Sequence, residues 1–139
     1  MSDFMLLTGD IVNFDPAFGA AVVAVVPGNL NGTVNASLDG KKVCVDGDEK
    51  NVMVPGCSYV QGSFVGGVGT LKIKALGGDQ KAQKTQIGNK AVLLKGSVFT
   101  AEFQVTAPAV DSASGTPDPM PMYTGTGSFI TTNMKWKAE

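Results

Sequence analysis

The chain has 139 residues, of which 43% are hydrophobic and only 17% charged, so it is long enough for one domain with its own core. Its 11 basic and 12 acidic residues give a net charge of −1, which excludes nucleic acid binding through a basic field. The absence of histidine excludes a hydrolase triad and removes the commonest metal ligand.

The N-terminal quarter of the chain predicts strands separated by turns. Residues 4–14 predict a strand that is interrupted at Gly9–Asp10, and Asp15–Pro16 marks a turn. Ala20–Val26 is the longest apolar run, and its seven residues predict a buried strand, because a membrane-spanning helix needs about 20. The first residues are acidic rather than basic, so we expect synthesis in the cytoplasm without a signal peptide.

A ten-residue phrase occurs twice, at 39–48 and at 88–97. The aligned pairs are Gly40 with Asn89, Lys41 with Lys90, Val43 with Val92, Val45 with Leu94 and Gly47 with Gly96. Each copy predicts a turn, a short alternating strand and a second turn, and Asp39–Gly40 is typical of a type I′ hairpin turn. Repetition of a small β unit predicts a scaffold of stacked hairpins and favours a structural part over an enzyme.

The remaining elements are also short and rich in turns. The next predicted strand is 51–54, before Pro55–Gly56, and the four glycines at 62–69 predict strands that bend or pack closely. Strands are then predicted at 70–76, 91–94, 97–105 and 129–136, with a short helix or a loop at 77–86 and a Pro-rich loop or extended arm at 107–122. This pattern predicts a mainly β fold, either a sandwich, a barrel or a cone of stacked hairpins.

Two small groups of residues are candidates for chemistry. Cys44 and Cys57 would bind a zinc-like metal together with Asp46 and Asp48, form one disulfide bond, or act as small buried hydrophobic residues. The acidic stretch from Asp46 to Glu49 would contribute to a calcium site or form a solvated turn, and we favour the turn.

Six stretches resemble the PAAR-like proteins, which form the spike-tip cone of contractile injection systems such as type VI secretion and its phage-tail-like relatives. They are Leu7–Asp10, Gly40–Cys44, Gly47–Asp48, Val54–Tyr59, Gly69–Ile73 and Ile87–Ser97, of which the last is the most similar. The chain lacks the Pro-Ala-Ala-Arg tetrapeptide and the histidine ligands of the family's zinc. The resemblance leaves Cys44 and Cys57 as candidate metal ligands, and it implies either that the metal is absent or that a different set of ligands holds it.

The resemblance implies a non-enzymatic part with a pointed β cone at 1–106. A Pro-rich loop and a final strand at 107–139 form a C-terminal extension packed on the same domain. The base of the cone would dock on a trimeric VgrG-type spike, one chain to three, and the tip would contact a target membrane transiently during puncture. Effector cargo is a further implied partner, and the tip would be delivered outside the cell or into the target.

Two other functions compete with the spike tip. A β-sandwich ligand-binding or adhesin-type module would hold a sugar or a peptide with its aromatic side chains, namely Tyr59, Phe64, Tyr123 and Trp136. An enzyme would use Asp46, Asp48 or Glu49 as acid and base, but the sequence offers no partner for them.

Overall fold

The structure, a computed structural model, describes residues 3–38, 40–131, 133 and 135–138. Of these, 58% lie in strands and 3% in a helix, so the predicted mainly β fold is confirmed. No helix among the described residues is both long and apolar enough to span a membrane.

The strands of the described residues are short except in the middle of the chain. In chain order they are β1 Asp3–Phe4, β2 Ile11–Phe14, β3 Ala17–Phe18, β4 Ala21–Val23, β5 Gly28–Asn29, β6 Ser37–Leu38, β7 Lys41–Lys42, β8 Met53–Gln61, β9 Phe64–Ala75, β10 Lys81–Ile87, β11 Lys90–Leu93, β12 Phe99–Ala107, β13 Val110–Asp111, β14 Met122–Ile130 and β15 Lys137–Ala138. A single 3₁₀ turn at Asp48–Asn51 precedes β8.

A curled antiparallel sheet of nine strands forms the larger part of the molecule, which we call the body. Its order is β3-β4-β8-β9-β12-β14-β2-β5, and β13 pairs with the N-terminal end of β9, at Phe64 and Val65. The sheet curls until the Phe18 ring of β3 lies against Gly125 of β14. The curl encloses a main core of aromatic and aliphatic side chains, in which Phe99 packs on Phe14 and Phe129.

The rest of the molecule consists of three two-stranded ribbons, which we call the arms. They are β1/β15, β6/β7 and β10/β11, and each is antiparallel. A second hydrophobic cluster lies among them and is separate from the main core. We call it the arm cluster; it contains Leu7, Val43, Val45, Ala82, Val92, Leu94 and Ala138, with Met5, Val34, Leu38 and Ile87 packed against it.

The apolar run Ala20–Val26 is not the continuous buried strand that we predicted. Only Ala21–Val23 form a strand, and Val22 and Val26 are 57% and 52% exposed. The strand lies in the wall of the curled sheet, so its side chains alternate between the core and solvent.

Two further predictions of local structure were wrong. Residues 77–86 do not form a helix or only a loop, because Lys81–Ile87 pair with β11. Pro55–Gly56 does not end a strand but lies inside β8, where the register with β9 shifts between Val54 and Cys57. Gly56 has a φ of +73° there, which suits a bulge rather than a chain reversal.

The C-terminal quarter contributes β13 and β14 to the body and β15 to an arm, and a Pro-rich extension is not shown. Within 107–122, β13 pairs with β9, and Ala109 and Asp118 are buried. The predicted strand 129–136 is divided, since β14 ends at Ile130 and β15 begins at Lys137; residues 132 and 134 lie outside the described residues, as does Asp39 of the predicted turn. The division into 1–106 and 107–139 stays a prediction.

Candidate functional site

Three distant segments of the chain meet at a closed ring of backbone hydrogen bonds. The amide of Leu6 donates to the carbonyl oxygen of Leu93 at 3.0 Å. The amide of Leu93 donates to Cys44 at 2.9 Å, and the amide of Cys44 donates back to Leu6 at 2.9 Å. Because each segment donates to one neighbour and accepts from the other, the ring has the connectivity of a threefold axis.

The same relation holds one and two residues away from the ring. Two residues after each ring residue, a backbone amide donates to a carbonyl oxygen of the neighbouring segment, two residues before that segment's own ring residue. The three bonds are Thr8 to Lys42 at 2.8 Å, Asp46 to Ala91 at 2.7 Å and Lys95 to Phe4 at 3.0 Å. The β-bridges between neighbouring positions are Leu7–Val43, Val45–Val92 and Leu94–Met5. The three central segments, 4–8, 42–46 and 91–95, are therefore related by pseudo-threefold symmetry.

The arms extend this symmetry further from the ring. The pairs at equivalent positions are Phe4–Lys137, Lys42–Ser37 and Ala91–Gln86, followed by Asp3–Ala138, Lys41–Leu38 and Lys90–Ile87. Two arms are hairpins, whereas the third joins the first and last described strands, β1 and β15. One chain thus builds three equivalent ribbons around one axis.

A glycine ends each central segment three residues after the ring residue. Gly9, Gly47 and Gly96 have φ angles of +93°, +107° and +54°. Only glycine adopts such angles without strain, so the same residue type ends all three segments.

Buried acceptors hold the turn that follows each central segment. The Asp10 carboxylate accepts from the Leu7 amide at 2.7 Å, and the Asp48 carboxylate accepts from the Val45 amide at 2.9 Å. In the third segment, the equivalent Leu94 amide donates to the backbone carbonyl of Gln80 at 2.9 Å instead. The symmetry is therefore strict in the backbone and approximate in the side chains.

The central segments separate the two hydrophobic cores. The side chains of the ring residues Leu6, Cys44 and Leu93 belong to the main core. Their neighbours on either side in the chain belong to the arm cluster, because successive side chains of a strand point to opposite faces. The outermost pairs of two arms contribute Leu38 and Ile87, which are half-buried.

Cys44 and Cys57 are buried, free thiols, and the predicted disulfide alternative is not formed. Cys44 lies in the ring, where desolvation and then the charges of Asp48 and Asp10 raise the pKa of its thiol from 9.0 to about 12. Cys57 lies in β8, and its Sγ donates to the Val54 carbonyl at 3.7 Å. Zinc binds the thiolate, which this environment disfavours for Cys44.

The donor set does not fit a zinc ion. Within residues 3–38, 40–131, 133 and 135–138, no three Cys, Asp or Glu side chains form a group that would hold a metal. Zinc sites in proteins use three or four protein ligands, drawn from cysteine, histidine, aspartate and glutamate side chains. The assignment of Cys44 and Cys57 as metal ligands therefore stays a prediction that this geometry does not support.

The acidic stretch has a structural role rather than forming a solvated turn. Asp48 and Glu49 are only 3% and 6% exposed. Asp48 accepts from the Thr33 hydroxyl in addition to the Val45 amide, and Glu49 accepts from the Gly47 amide at 2.7 Å. Asp46 instead forms a salt bridge of 3.6 Å with Lys81 at the surface.

Two of the aromatic residues predicted to bind a ligand are buried in the body. The hydroxyls of Tyr59 and Tyr123 both donate to the Asp118 carboxylate, and the Ala109 amide donates to the Tyr59 hydroxyl at 3.0 Å. Phe64 and Trp136 are half-buried at separate places, in β9 and just before β15. These four side chains do not form one binding surface.

The repeated phrase at 39–48 and 88–97 contains two of the three central segments but not the first. A pattern in the sequence marks it, since Leu6-Leu7-Thr8-Gly9 and Leu93-Leu94-Lys95-Gly96 share leucine, leucine and glycine at the same positions. The two copies of the phrase are 49 residues apart, whereas Leu6 and Cys44 are 38 apart, so a search at one constant spacing does not find the first segment.

A comparison with protein families identifies a family that covers this chain. The family described as contractile injection system spike tip protein matches residues 1–139, which is the whole chain, and confirms the predicted family resemblance. A comparison with curated proteins finds no matching sequence.

Proposed function

Because this chain belongs to the family of contractile injection system spike tip proteins, we propose that it caps a trimeric VgrG-type spike, with one tip chain bound to three spike chains. The tip would be assembled at the end of the spike and carried through the target membrane when the sheath contracts. This role is structural and needs no catalytic residue.

The pseudo-threefold ring is the observation that carries the proposal. A single chain has no symmetry of its own, whereas the end of a trimer presents three copies of one surface. The three arms offer three similar ribbons to those three copies, and the ring at Leu6, Cys44 and Leu93 defines their common axis. One chain is then able to form three similar contacts at once.

The arms, and not the body, are the part that fits a trimer. The nine-stranded sheet has no threefold relation among its strands. Each arm is a separate two-stranded sheet with an outer strand, β6, β10 or β15. Outer strands have unpaired backbone groups that pair readily with strands of another chain, so the arms would continue the three faces of a β-structured spike.

The same geometry suits mechanical load. Force along the axis would reach all three central segments, which are joined by backbone hydrogen bonds in a closed cycle. Beyond the ring, the load would enter the body through the main core, where packed aromatic rings leave little room for movement. Membrane puncture requires this stiffness, and we propose that the body is the leading end.

The experiment is co-purification of this protein with the trimeric spike protein of the same injection system, followed by native mass spectrometry. We expect a complex of one tip chain and three spike chains. The Ile87→Asp variant in an arm should abolish the complex, because it places a charge where apolar contact is expected, whereas Val60→Asp on the outer face of β8 should not. A folded wild-type protein that forms no such complex would refute the proposal.

A further inference from the structure

The charges of the chain are distributed unevenly between the arms and the body. The stretches of sequence that include the arms and the central segments, 1–8, 33–46, 81–95 and 135–139, contain eight lysines and four carboxylate side chains. The remaining residues contain three lysines and eight carboxylate side chains. A chain that is almost neutral as a whole therefore has a positive arm end and a negative body.

Four of these lysines lie in the two outermost pairs of the arms, whereas Lys81 lies opposite the ring residue Leu93. Lys41 and Lys90 occupy equivalent positions in the outermost pairs of two arms, opposite Leu38 and Ile87. Lys42 and Lys137 occupy the next pairs inward, and both are exposed. Each arm thus has at least one exposed lysine, and in the third arm Asp3 takes the position that Lys41 and Lys90 occupy in the other two.

The carboxylates described in the arms are already engaged. Asp3 accepts from the Phe4 and Gly96 amides at 2.7 Å and 2.8 Å, and Asp46 forms the salt bridge with Lys81. Lys41 and Lys90 form no salt bridge with any described residue. Asp3 keeps its negative charge while it accepts from these amides, but the four lysines in the outer pairs of the arms outnumber this one described carboxylate.

We propose that the arm end binds a carboxylate-rich surface that is repeated three times around the end of the spike trimer. This inference rests on the proposed function. Interfaces commonly have an apolar centre with a polar rim, and here Leu38 and Ile87 would form the centre while the lysines form the rim. Charges in such a rim speed association and select the partner, and they act more weakly at high salt.

The test compares two double variants with equal changes of charge. In Lys41→Glu/Lys90→Glu the reversed charges lie at the arm end, and in the control Lys50→Glu/Lys74→Glu they lie at exposed positions of the body. Binding to the purified spike trimer is measured by surface plasmon resonance at low and high salt. We expect the arm variant to bind about tenfold more weakly than wild type at low salt, mainly through slower association. The control should stay within about twofold, because charges distant from the interface are screened.

The outcomes separate this inference from the proposed function. Wild-type binding that weakens with salt, together with the loss in the arm variant, supports the inference. If the wild type binds the trimer but both double variants bind equally well, the arm end does not select carboxylates and only the inference fails.

Two checks complete the design. Lys41→Gln/Lys90→Gln removes the charges without reversing them, so an intermediate loss is expected, and an unchanged affinity contradicts the inference. Vesicles with anionic headgroups serve as the alternative partner. If the wild type ignores the trimer and its arm lysines bind the vesicles, both the inference and the proposed function are overturned.

Discussion

At the scale of single residues, Asp118 is a buried carboxylate without a cationic partner among the described side chains. It accepts hydrogen bonds from the Tyr59 and Tyr123 hydroxyls and from the Met120 amide. Desolvation raises the pKa of Asp118, but the hydrogen bonds from Tyr123, Met120 and Tyr59 together outweigh it and leave the pKa below 3.8. The carboxylate therefore ties the loop 112–121 to strands β8 and β14.

We expect Asp118→Asn to destabilise the protein by about 1–3 kcal/mol at neutral pH, because the amide is a weaker acceptor and brings a donor that has no partner. Because its pKa is lower in the folded protein, the Asp118 carboxylate stays ionised to a lower pH there than in the unfolded chain. The contribution is therefore complete above the unfolded pKa and is lost as the pH falls through the folded value.

Urea unfolding of both proteins between neutral pH and pH about 3 measures this contribution, since carboxyl groups ordinarily titrate near pH 4. The difference between wild type and Asp118→Asn should shrink at the acidic end. The control is Asp15→Asn, which changes an exposed carboxylate that accepts from the Thr126 hydroxyl. A difference that does not vary with pH would contradict the ionised, hydrogen-bonded Asp118.

At the scale of elements, the third arm differs from the other two because a turn does not connect its strands. Asn133 takes over this organising role. Its side-chain Nδ2 donates to the backbone carbonyls of Met5 and Trp136 at 2.9 Å and 2.8 Å. Its side-chain Oδ1 accepts from the backbone amides of Lys135 and Trp136. One buried side chain thus positions β15 against the first central segment.

We expect Asn133→Ala to loosen the third arm and to cost about 1–3 kcal/mol, since it leaves partly buried backbone groups without their side-chain partner. Hydrogen exchange should rise at Met5 and Trp136, whose groups frame the arm, and should stay unchanged at the β12/β14 pairing in the body. Asn13→Ala on the exposed face of β2 is the control. Unchanged exchange in the third arm would show that β15 docks without Asn133.

The elements also show how far the sequence could predict this site. The copies at 39–48 and 88–97 were recognisable because a hairpin brings its own turn, and both turns carry glycine with neighbouring lysines. The third arm could not be predicted in this way, because β1 and β15 are far apart in the chain and pair only in the folded protein. The strand at Lys81–Ile87 was missed because its polar side chains face solvent on a two-stranded ribbon.

At the scale of the whole molecule, composition and turn spacing were enough to predict a mainly β fold. The relation of the curled body to the arms was not predictable, because it depends on which strands pair across long stretches of chain, such as β2 with β14. The family resemblance was confirmed by the match to the spike tip family, although its zinc ligands were not transferable to a chain without histidine. The backbone ring provides the symmetry that the side chains only approximate.

The equivalence of the three arms has a consequence for the connectivity of the chain. Asp3 and Ala138 are directly paired at the end of the third arm, as Lys90 and Ile87 are at the end of the second. Consider a circular permutant in which a short glycine linker joins residue 138 to residue 3 and the new chain begins at Asn89, within the turn between β10 and β11. The arm β1/β15 then becomes a hairpin, and the arm β10/β11 becomes the one formed by the two ends of the chain. We expect it to fold, because closing a short loop between paired strands has a small entropic cost and the ring of hydrogen bonds is retained.

The thermal midpoint of the permutant and its complex with the spike trimer, measured by native mass spectrometry, test this equivalence. A midpoint close to that of the wild type and an unchanged complex are expected, because all three ribbons and the axis are retained. A second permutant that begins at Gly66, inside β9 of the body, is the control and should be strongly destabilised, because it interrupts the longest strand of the sheet. If both permutants are equally unstable, the arms are not equivalent, and a threefold partner would have no three similar contacts to match.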